Sequence, residues 1–318
     1  MRAIVSFLIF LGMFGAISRF PTAIADENDV EKAKRFQFLI NKIRYERERI
    51  DFGVVRGKGE RTFIRETDGK TVSSTGRVEY FIAFDFLEDK QRVDRYELHF
   101  KEDGSCSRHL GQYIETNDTI EYCAYPMDYP LLGIVFVARP KEGNYVFPHK
   151  DFCHPLDIRI IGMLDLRHFT HGNSMSFDAL LNSFKQRVPE VLVEEENGVV
   201  RFEYHQQVED RGELNKSVFW IDAKNGFTFQ RYLSIREFDS RKDQPWILDD
   251  VRVSWKKTEG VWVPIEIIFE NNVPIEKKEK MVMTLDWENV NRQVDKKYFT
   301  YSDFSTSEYT PVAPVPVR

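Results

Sequence analysis

The sequence predicts a mainly β protein of the α+β class, with a long curved antiparallel β-sheet (a half-barrel meander) covered by one or two helices. Apolar and polar residues alternate with a period of two through most of residues 191–287. Turn dipeptides such as Asn197-Gly198 separate the alternating stretches and favour type I′ hairpins. Only three stretches have helical periodicity, so these few helices have to cover the apolar side of the sheet.

Residues 1–25 are predicted to be a signal peptide that is cleaved after Ala25. Arg2 precedes an apolar run over residues 3–17, and Ala23-Ile24-Ala25 has the small-x-small pattern of a cleavage site. The run is shorter than the ~20 residues of a membrane span. We therefore expect an exported chain, periplasmic or extracellular, without a stable membrane anchor.

The charge of the mature chain argues against one class of function. Without residues 1–25 the chain has 43 Lys and Arg against 51 Asp and Glu, a net charge of −8. A general nucleic-acid binder carries a basic surface instead, so we expect no nucleic-acid partner. About 290 residues can bury a sizeable core, and we predict a monomeric protein.

The first predicted helix covers residues 29–50, with Asp29 as its N-cap. Its apolar residues recur at steps of three and four positions: Val30, Ala33, Phe36, Ile40 and Ile43. Charged residues fill most of the other positions. The helix therefore has one apolar side that needs a partner.

Strands follow the helix. Two long ones are predicted between residues 76 and 102, and then a hairpin that turns at Asn117-Asp118. In this hairpin Cys123 lies opposite Gln112. Cys106 is then about 20 Å from Cys123, which disfavours a disulfide between the two.

Residues 125–190 are predicted to form a central insertion of loops and short helices. Prolines interrupt it at positions 126, 130, 140, 148 and 155, and Pro189 follows its last helix. Proline lacks a ladder donor and restrains the residue before it, which disfavours strands. A short helix is predicted near residues 156–164, and a longer one over 177–187 with Ser176 as its N-cap.

The apolar side of the C-terminal strands supplies the candidate ligand-binding residues. They alternate with polar residues in four successive strands, so they share one face of the sheet. The candidates are Phe227, Phe229, Leu233, Ile235, Val253, Trp255, Val263, Ile265, Ile267, Met283 and Leu285. The competing interpretation is that these side chains form an ordinary dry core.

Two motifs resemble sequences of the LolA/LolB-like superfamily of exported outer-membrane lipoprotein carriers, in particular its outer-membrane lipoprotein-sorting relatives. Residues 219–226 (FWIDAKNG) are similar to the W-I-D-x-x-x-G strand and turn of those proteins. Gly260-Val261-Trp262-Val263-Pro264 is similar to their D/E-G-x-W-x-P turn and strand. The order of elements is also similar: signal peptide, helix, long strands, central helical insertion and further strands.

The resemblance implies one LolA/LolB-like domain over residues 26–309, which includes the insertion 125–190, and a flexible proline-rich tail over 310–318. It implies a non-enzymatic protein that binds a lipid, a lipoprotein acyl chain or another apolar ligand in the concave face of the sheet. Such a carrier needs no cofactor, and the helix over 29–50 would be its movable lid. The matching motifs are a turn glycine and strand residues, so no functional residue is carried over from the family.

Two other functions stay open at this point. The first is a cell-envelope sensor or protein-interaction module on the same sheet, with a core filled by side chains and an envelope protein as partner. The second is a metal-dependent hydrolase, because imidazole and thiolate groups are zinc ligands. Its metal ligands would come from His149, Cys153, His154, His168 and His171, although their spacing matches no zinc motif.

Overall fold

The computed structural model describes residues 27–67, 70–100, 105–125, 135–140, 156–163, 176–194, 196–208, 212–238, 245–273 and 278–299. These residues form one antiparallel sheet of thirteen strands, two α-helices and short 3₁₀ turns. The helices are α1 (Glu27–Arg47) and α2 (Phe177–Lys185). The strands are β1 (Phe52–Thr67), β2 (Lys70–Asp85), β3 (Lys90–Phe100), β4 (Cys106–Glu115), β5 (Thr119–Tyr125), β6 (Val135–Pro140), β7 (Val191–Glu194), β8 (Val199–Val208), β9 (Glu213–Asp222), β10 (Thr228–Phe238), β11 (Trp246–Thr258), β12 (Val261–Asn272) and β13 (Lys278–Glu288).

The sheet consists of two meanders that meet where β1 pairs with β13. Its strand order is β6-β5-β4-β3-β2-β1-β13-β12-β11-β10-β9-β8-β7. Since β6 and β7 are the two outermost strands, the connection between them has to pass from one edge of the sheet to the other. That crossover contains residues 156–163 and α2, and both pack on the same face as α1. We call this the inner face. The predicted fold class, a curved antiparallel sheet covered by two helices, is confirmed.

The hairpins follow the predicted register. Gln112 pairs with Cys123 across the β4–β5 hairpin, as the turn at Asn117-Asp118 requires, and Cys106 lies exposed six residues before Gln112. Asn197 and Gly198 have φ angles of 66° and 80° between β7 and β8. Positive φ at both positions is the type I′ geometry that the Asn-Gly dipeptide favours.

Both helices contribute to the core through one side. In α1 the buried apolar residues are Phe36, Leu39, Ile40 and Ile43. Val30, placed on the apolar side by the sequence pattern, is instead 43% exposed, and Asp29 lies inside the first turn rather than at the N-cap. In α2 the predicted cap is confirmed, because Oγ of Ser176 accepts a hydrogen bond from the backbone N–H of Ala179 at 3.2 Å.

Two strands depart from the sequence-based expectation. β6 lies within the insertion 125–190, where proline predicted loops, and its Pro140 ends the strand at the sheet edge, a position that tolerates a missing donor. β1 was not predicted, although it is central in the sheet. Its inner-face positions include Gly53, Gly57 and Gly59, which contact Phe84, Leu285 and Met283, so its apolar alternation is absent from the sequence.

No helix among the described residues is long and apolar enough to cross a membrane. The predicted signal peptide, residues 1–25, and the proline-rich tail, residues 310–318, lie outside the described residues.

The two motifs that carry the family resemblance pack against each other. Gly226 turns the chain between β9 and β10 with φ of 72°, and a Cβ there would lie 2.1 Å from Cδ1 of Trp262 on β12. Asp222 starts the same turn by accepting the backbone N–H groups of Lys224 and Asn225 at 3.0 Å. The glycine therefore meets two requirements, left-handed backbone and room for an indole ring.

We predict that Gly226→Ala lowers the free energy of unfolding by about 2–4 kcal/mol, because backbone strain of ~1–2 kcal/mol adds to the collision with Trp262. Gly260→Ala is the matched control, since Gly260 has a similar φ of 81° but its nearest neighbour would be 3.9 Å away. Urea denaturation of both variants measures the difference. Equal losses in the two variants would contradict the contact with Trp262.

Candidate ligand-binding site

One continuous apolar core covers the inner face. The sheet contributes side chains from both meanders, and α1, α2 and the crossover lie over them. From the crossover come Leu156, Ile158, Ile160, Ile161 and Met163, each at most 1% exposed. We call residues 156–163 the plug segment, because they fill the middle of the curved sheet.

Eight of the eleven predicted site residues face this core. Phe229, Val253, Val263, Ile267, Met283 and Leu285 are buried in it, and Phe227 and Trp255 pack against it. Leu233 and Ile235 are half-buried and lie outside it, as does Ile265. The structure therefore brings eight of the eleven residues together in one core and leaves three outside it.

Irregularities in strand pairing explain the three exceptions. The register of β9 and β10 shifts between Phe229 and Arg231, so one extra residue reverses the alternation. Beyond this bulge Tyr232 joins the core, and Leu233 and Ile235 point to the other side. A second shift, between β11 and β12, leaves Ile265 without a direct partner.

The plug segment lies directly on predicted site residues. Gly162 has φ of 87°, and a Cβ at this position would be 3.0 Å from the carbonyl oxygen of Phe229 and 3.1 Å from Cγ2 of Val253. Only glycine allows the backbone to approach the sheet this closely. In the described structure, the surface that was predicted to bind a ligand is thus occupied by the protein's own chain.

Buried polar side chains hold the plug segment at both ends. Gln91 of β3 donates to the carbonyl of Leu156 at 2.6 Å and accepts its N–H at 3.2 Å. Arg47 of α1 donates to the carbonyls of Arg159 at 2.9 Å and Ile161 at 3.3 Å. These bonds satisfy backbone groups that would otherwise be buried without partners.

Arg47 is an unusual residue for such a core. It is 1% exposed, and its guanidinium lies 4.3 Å from the centre of the Trp255 ring. Burial disfavours the charged form and lowers the pKa of Arg47 to about 9. Nη1 has no hydrogen-bond partner among the described residues. The sequence analysis did not identify Arg47 as a core residue. Its position indicated one, because it follows Ile43 by four residues and so continues the apolar side formed by Phe36, Ile40 and Ile43.

The inner face is not apolar along its whole length. Beyond the core, the strands present charged residues on the same face, including Arg61, Arg95, Glu97, His99 and Glu279. Glu97 accepts hydrogen bonds from Arg95 at 2.6 Å and interacts with His99 at 3.3 Å and Arg61 at 3.6 Å. Arg61 also pairs with Glu279. The inner face therefore has an apolar part and a charged part.

Glu97 is the acceptor at the centre of this charged group. Burial opposes its ionisation, but hydrogen bonding from His99 and the adjacent Arg95 and Arg61 outweigh burial and hold its pKa well below the usual range of a glutamate. Glu97 is consequently ionised at neutral pH, and its charge compensates two buried guanidinium groups.

The metal hypothesis concerns a different part of the chain. His149, Cys153, His154, His168 and His171 all lie outside the described residues. Within the residues that the structure describes, no group of three or more His, Cys, Asp or Glu side chains could hold a metal ion.

Fold and site together define a single-sheet protein whose apolar face is covered by helices and a crossover. No protein-family model and no curated protein matches the chain. Its fold is similar to a DUF1329 family protein from Desulfovibrio piger, with 11% identity, a TM-score of 0.36 and coverage of 84% of this chain and 98% of that one. It is also similar to a LolA superfamily protein from Nitrosomonas europaea, with 13% identity, a TM-score of 0.34 and coverage of 84% and 97%.

The second of these structures is a LolA superfamily protein, and the two sequence motifs resemble sequences of that superfamily. With TM-scores below 0.5, neither likeness bears on ligand or activity.

We predict that Glu97→Gln lowers the free energy of unfolding at pH 7 by about 3 kcal/mol, because it leaves Arg61 and Arg95 buried without their common carboxylate. A depressed native pKa stabilises the fold above the unperturbed value of about 4.3, and this stabilisation is lost as the pH falls below it. The variant should therefore lose less stability than the wild type between pH 5 and 3.

Glu259→Gln is the control for this prediction, since Glu259 pairs with Arg292 on the exposed surface and should cost under about 1 kcal/mol. Chemical denaturation across the pH series gives both quantities. A Glu97→Gln variant as stable as the control would show that the buried charges are compensated in another way.

Proposed function

We propose that this is an exported, non-enzymatic protein that binds the acyl chain of a lipid or lipoprotein on its inner face, in exchange for the plug segment. One observation carries the proposal: the apolar face of the sheet is closed by an eight-residue crossover segment that buried polar side chains hold in place. Gly162 of that segment lies against Phe229 and Val253, so a ligand that took its place would contact the same residues.

The burial energies of the plug segment and of an acyl chain are similar, so an exchange is possible. Burial of the five apolar side chains of the plug segment is worth roughly 10 kcal/mol, at about 2 kcal/mol each. A saturated chain of ~14 methylene groups brings about 11 kcal/mol at ~0.8 kcal/mol each. Since these amounts are of the same size, one apolar group can replace the other with little net change, and binding is reversible.

The way the plug segment is attached also supports the proposal. Its ties to Arg47 and Gln91 are hydrogen bonds between a side chain and a carbonyl or N–H group. Each such bond has a net worth of about 1–3 kcal/mol, the larger value applying to the charged Arg47, and water or a ligand can replace it. Both the plug segment and helix α1, the predicted lid, bury apolar side chains. Helix α1 is a 21-residue helix followed closely by β1, whereas the plug segment is eight residues long, so we assign the movable element to the plug segment.

The filled inner face is also the observation that favours a second candidate function. A protein-interaction module or envelope sensor does not need a ligand cavity, so an inner face that is permanently filled by the plug segment is consistent with that function. The two functions differ in whether the plug segment yields to an acyl chain.

We predict that Gly162→Ala raises the affinity for a fluorescent fatty-acyl probe by about tenfold. The variant strains the plug segment by ~1–2 kcal/mol through its positive φ, and 1.4 kcal/mol corresponds to a factor of ten. Gly198→Ala is the matched control, with a similar φ of 80° in a turn that does not touch the plug segment. Gln91→Met, which removes both bonds to Leu156, should act in the same direction as Gly162→Ala.

Fluorescence titration measures these affinities, and native mass spectrometry of the exported protein followed by lipid extraction identifies any natural ligand. Unchanged affinity in both plug variants would contradict the exchange. A protein that binds no acyl chain in any form would favour the interaction module.

A further inference from the structure

Arg47 is a buried cation that uses only part of its bonding capacity. Nε and Nη2 donate to the carbonyls of Arg159 and Ile161, and Nη1 has no partner among the described residues. A guanidinium has five N–H donors in a fixed fork. Even with the plug segment in place, this fork is incompletely occupied.

The charge of Arg47 has no carboxylate partner within the described residues. Asp157 acts on it electrostatically, but the Asp157 carboxylate accepts hydrogen bonds from Arg159 and from the backbone N–H of Phe177. The cation is therefore stabilised by two carbonyl dipoles and by the face of the Trp255 ring.

We propose that Arg47 binds an anionic oxygen at the head of the acyl-chain ligand when the plug segment leaves the inner face; this inference rests on the proposed function. Departure of the plug segment removes both carbonyl acceptors and would leave a buried cation unpaired, which is strongly unfavourable. A hydrocarbon chain cannot replace these acceptors. A carboxylate or a phosphate can, and either accepts the guanidinium fork through two parallel hydrogen bonds.

The position of Arg47 suits a ligand that has an apolar chain and an anionic head. Trp255, which stacks on the guanidinium, donates its indole N–H to the carbonyl of Phe229 at 2.9 Å. Phe229 is one of the residues that Gly162 covers. A chain that occupies the plug position along Phe229 and Val253 thus ends with its head group beside Arg47.

The test compares ligands with the same twelve-carbon chain and different heads: dodecanoate, dodecyl phosphate and the neutral dodecanol. Affinities are measured below the micellar concentration by displacement of a fatty-acyl probe. We expect both anions to bind wild-type protein at least about tenfold more tightly than dodecanol, as a charge-assisted hydrogen bond provides. The ratio between the two anions distinguishes a carboxylate head from a phosphate head.

Arg47→Met keeps the apolar stem and removes the charge, and it should reduce the preference for anions to less than about twofold. Arg49→Met is the matched control, because Arg49 also bonds a backbone carbonyl, that of Gly260, but on the exposed surface. It should keep the wild-type preference. Arg47→Lys provides a second variant with the charge retained, which should keep part of the preference.

The outcomes separate the two proposals. Equal binding of all three ligands to wild-type protein, or an anion preference that survives in Arg47→Met, overturns the head-group site and leaves the proposed function standing. The absence of binding by any of the three ligands overturns both. The wild-type comparison needs no variant, so it decides the question even if Arg47→Met fails to fold.

Discussion

The described residues form a single sheet, and no second sheet among them covers its apolar face. Every element on the inner face follows from that constraint. The cover has to come from helix α1 and from the crossover, which must pass between the two edge strands in any case. A crossover that is buried brings its own backbone N–H and C=O groups into the core, and these need partners. Arg47, Gln91 and Asp157 supply them, so buried polar side chains are a direct consequence of the way the sheet is closed.

The part of this fold that the sequence predicts is the part in which the alternation of apolar and polar residues alone determines the strands. Strands β7 to β13 alternate over most of their length and end at turn residues, and their order agrees with the sequence pattern. β1 could not be recognised from the sequence, because three of its inner-face positions are glycines. Phe84, Leu285 and Met283 pack against them and occupy the space that side chains would fill. In this strand, packing against neighbouring strands requires glycine where the alternating pattern would place an apolar residue.

The candidate site was predictable to a similar extent. A constant period of two identifies a common face only while the pairing stays regular, and the bulge after Phe229 moves Leu233 and Ile235 away from it. Arg47 was missed for another reason, since an arginine in a charged helix reads as a surface residue. Its spacing from Ile43 indicates the core, but the cost of burying its charge argues against that assignment until its carbonyl acceptors are known. Gly226 and Trp262 likewise give information on packing and not on a ligand, because the two motifs contact each other.

The pairing of β1 with β13 has a consequence for how the chain folds. Until β13 is available, β1 pairs only with β2 and its other edge stays open. Asn291 joins the same region by bonding to the backbone of Asp51 and Arg49. Contacts between residues so far apart in the chain form slowly, since a long loop has to close first. The sheet therefore cannot be completed while the C-terminal strands are still being made. Until β13 is added, the two meanders are separate sheets, and β1 and β12 are their open edges at this seam.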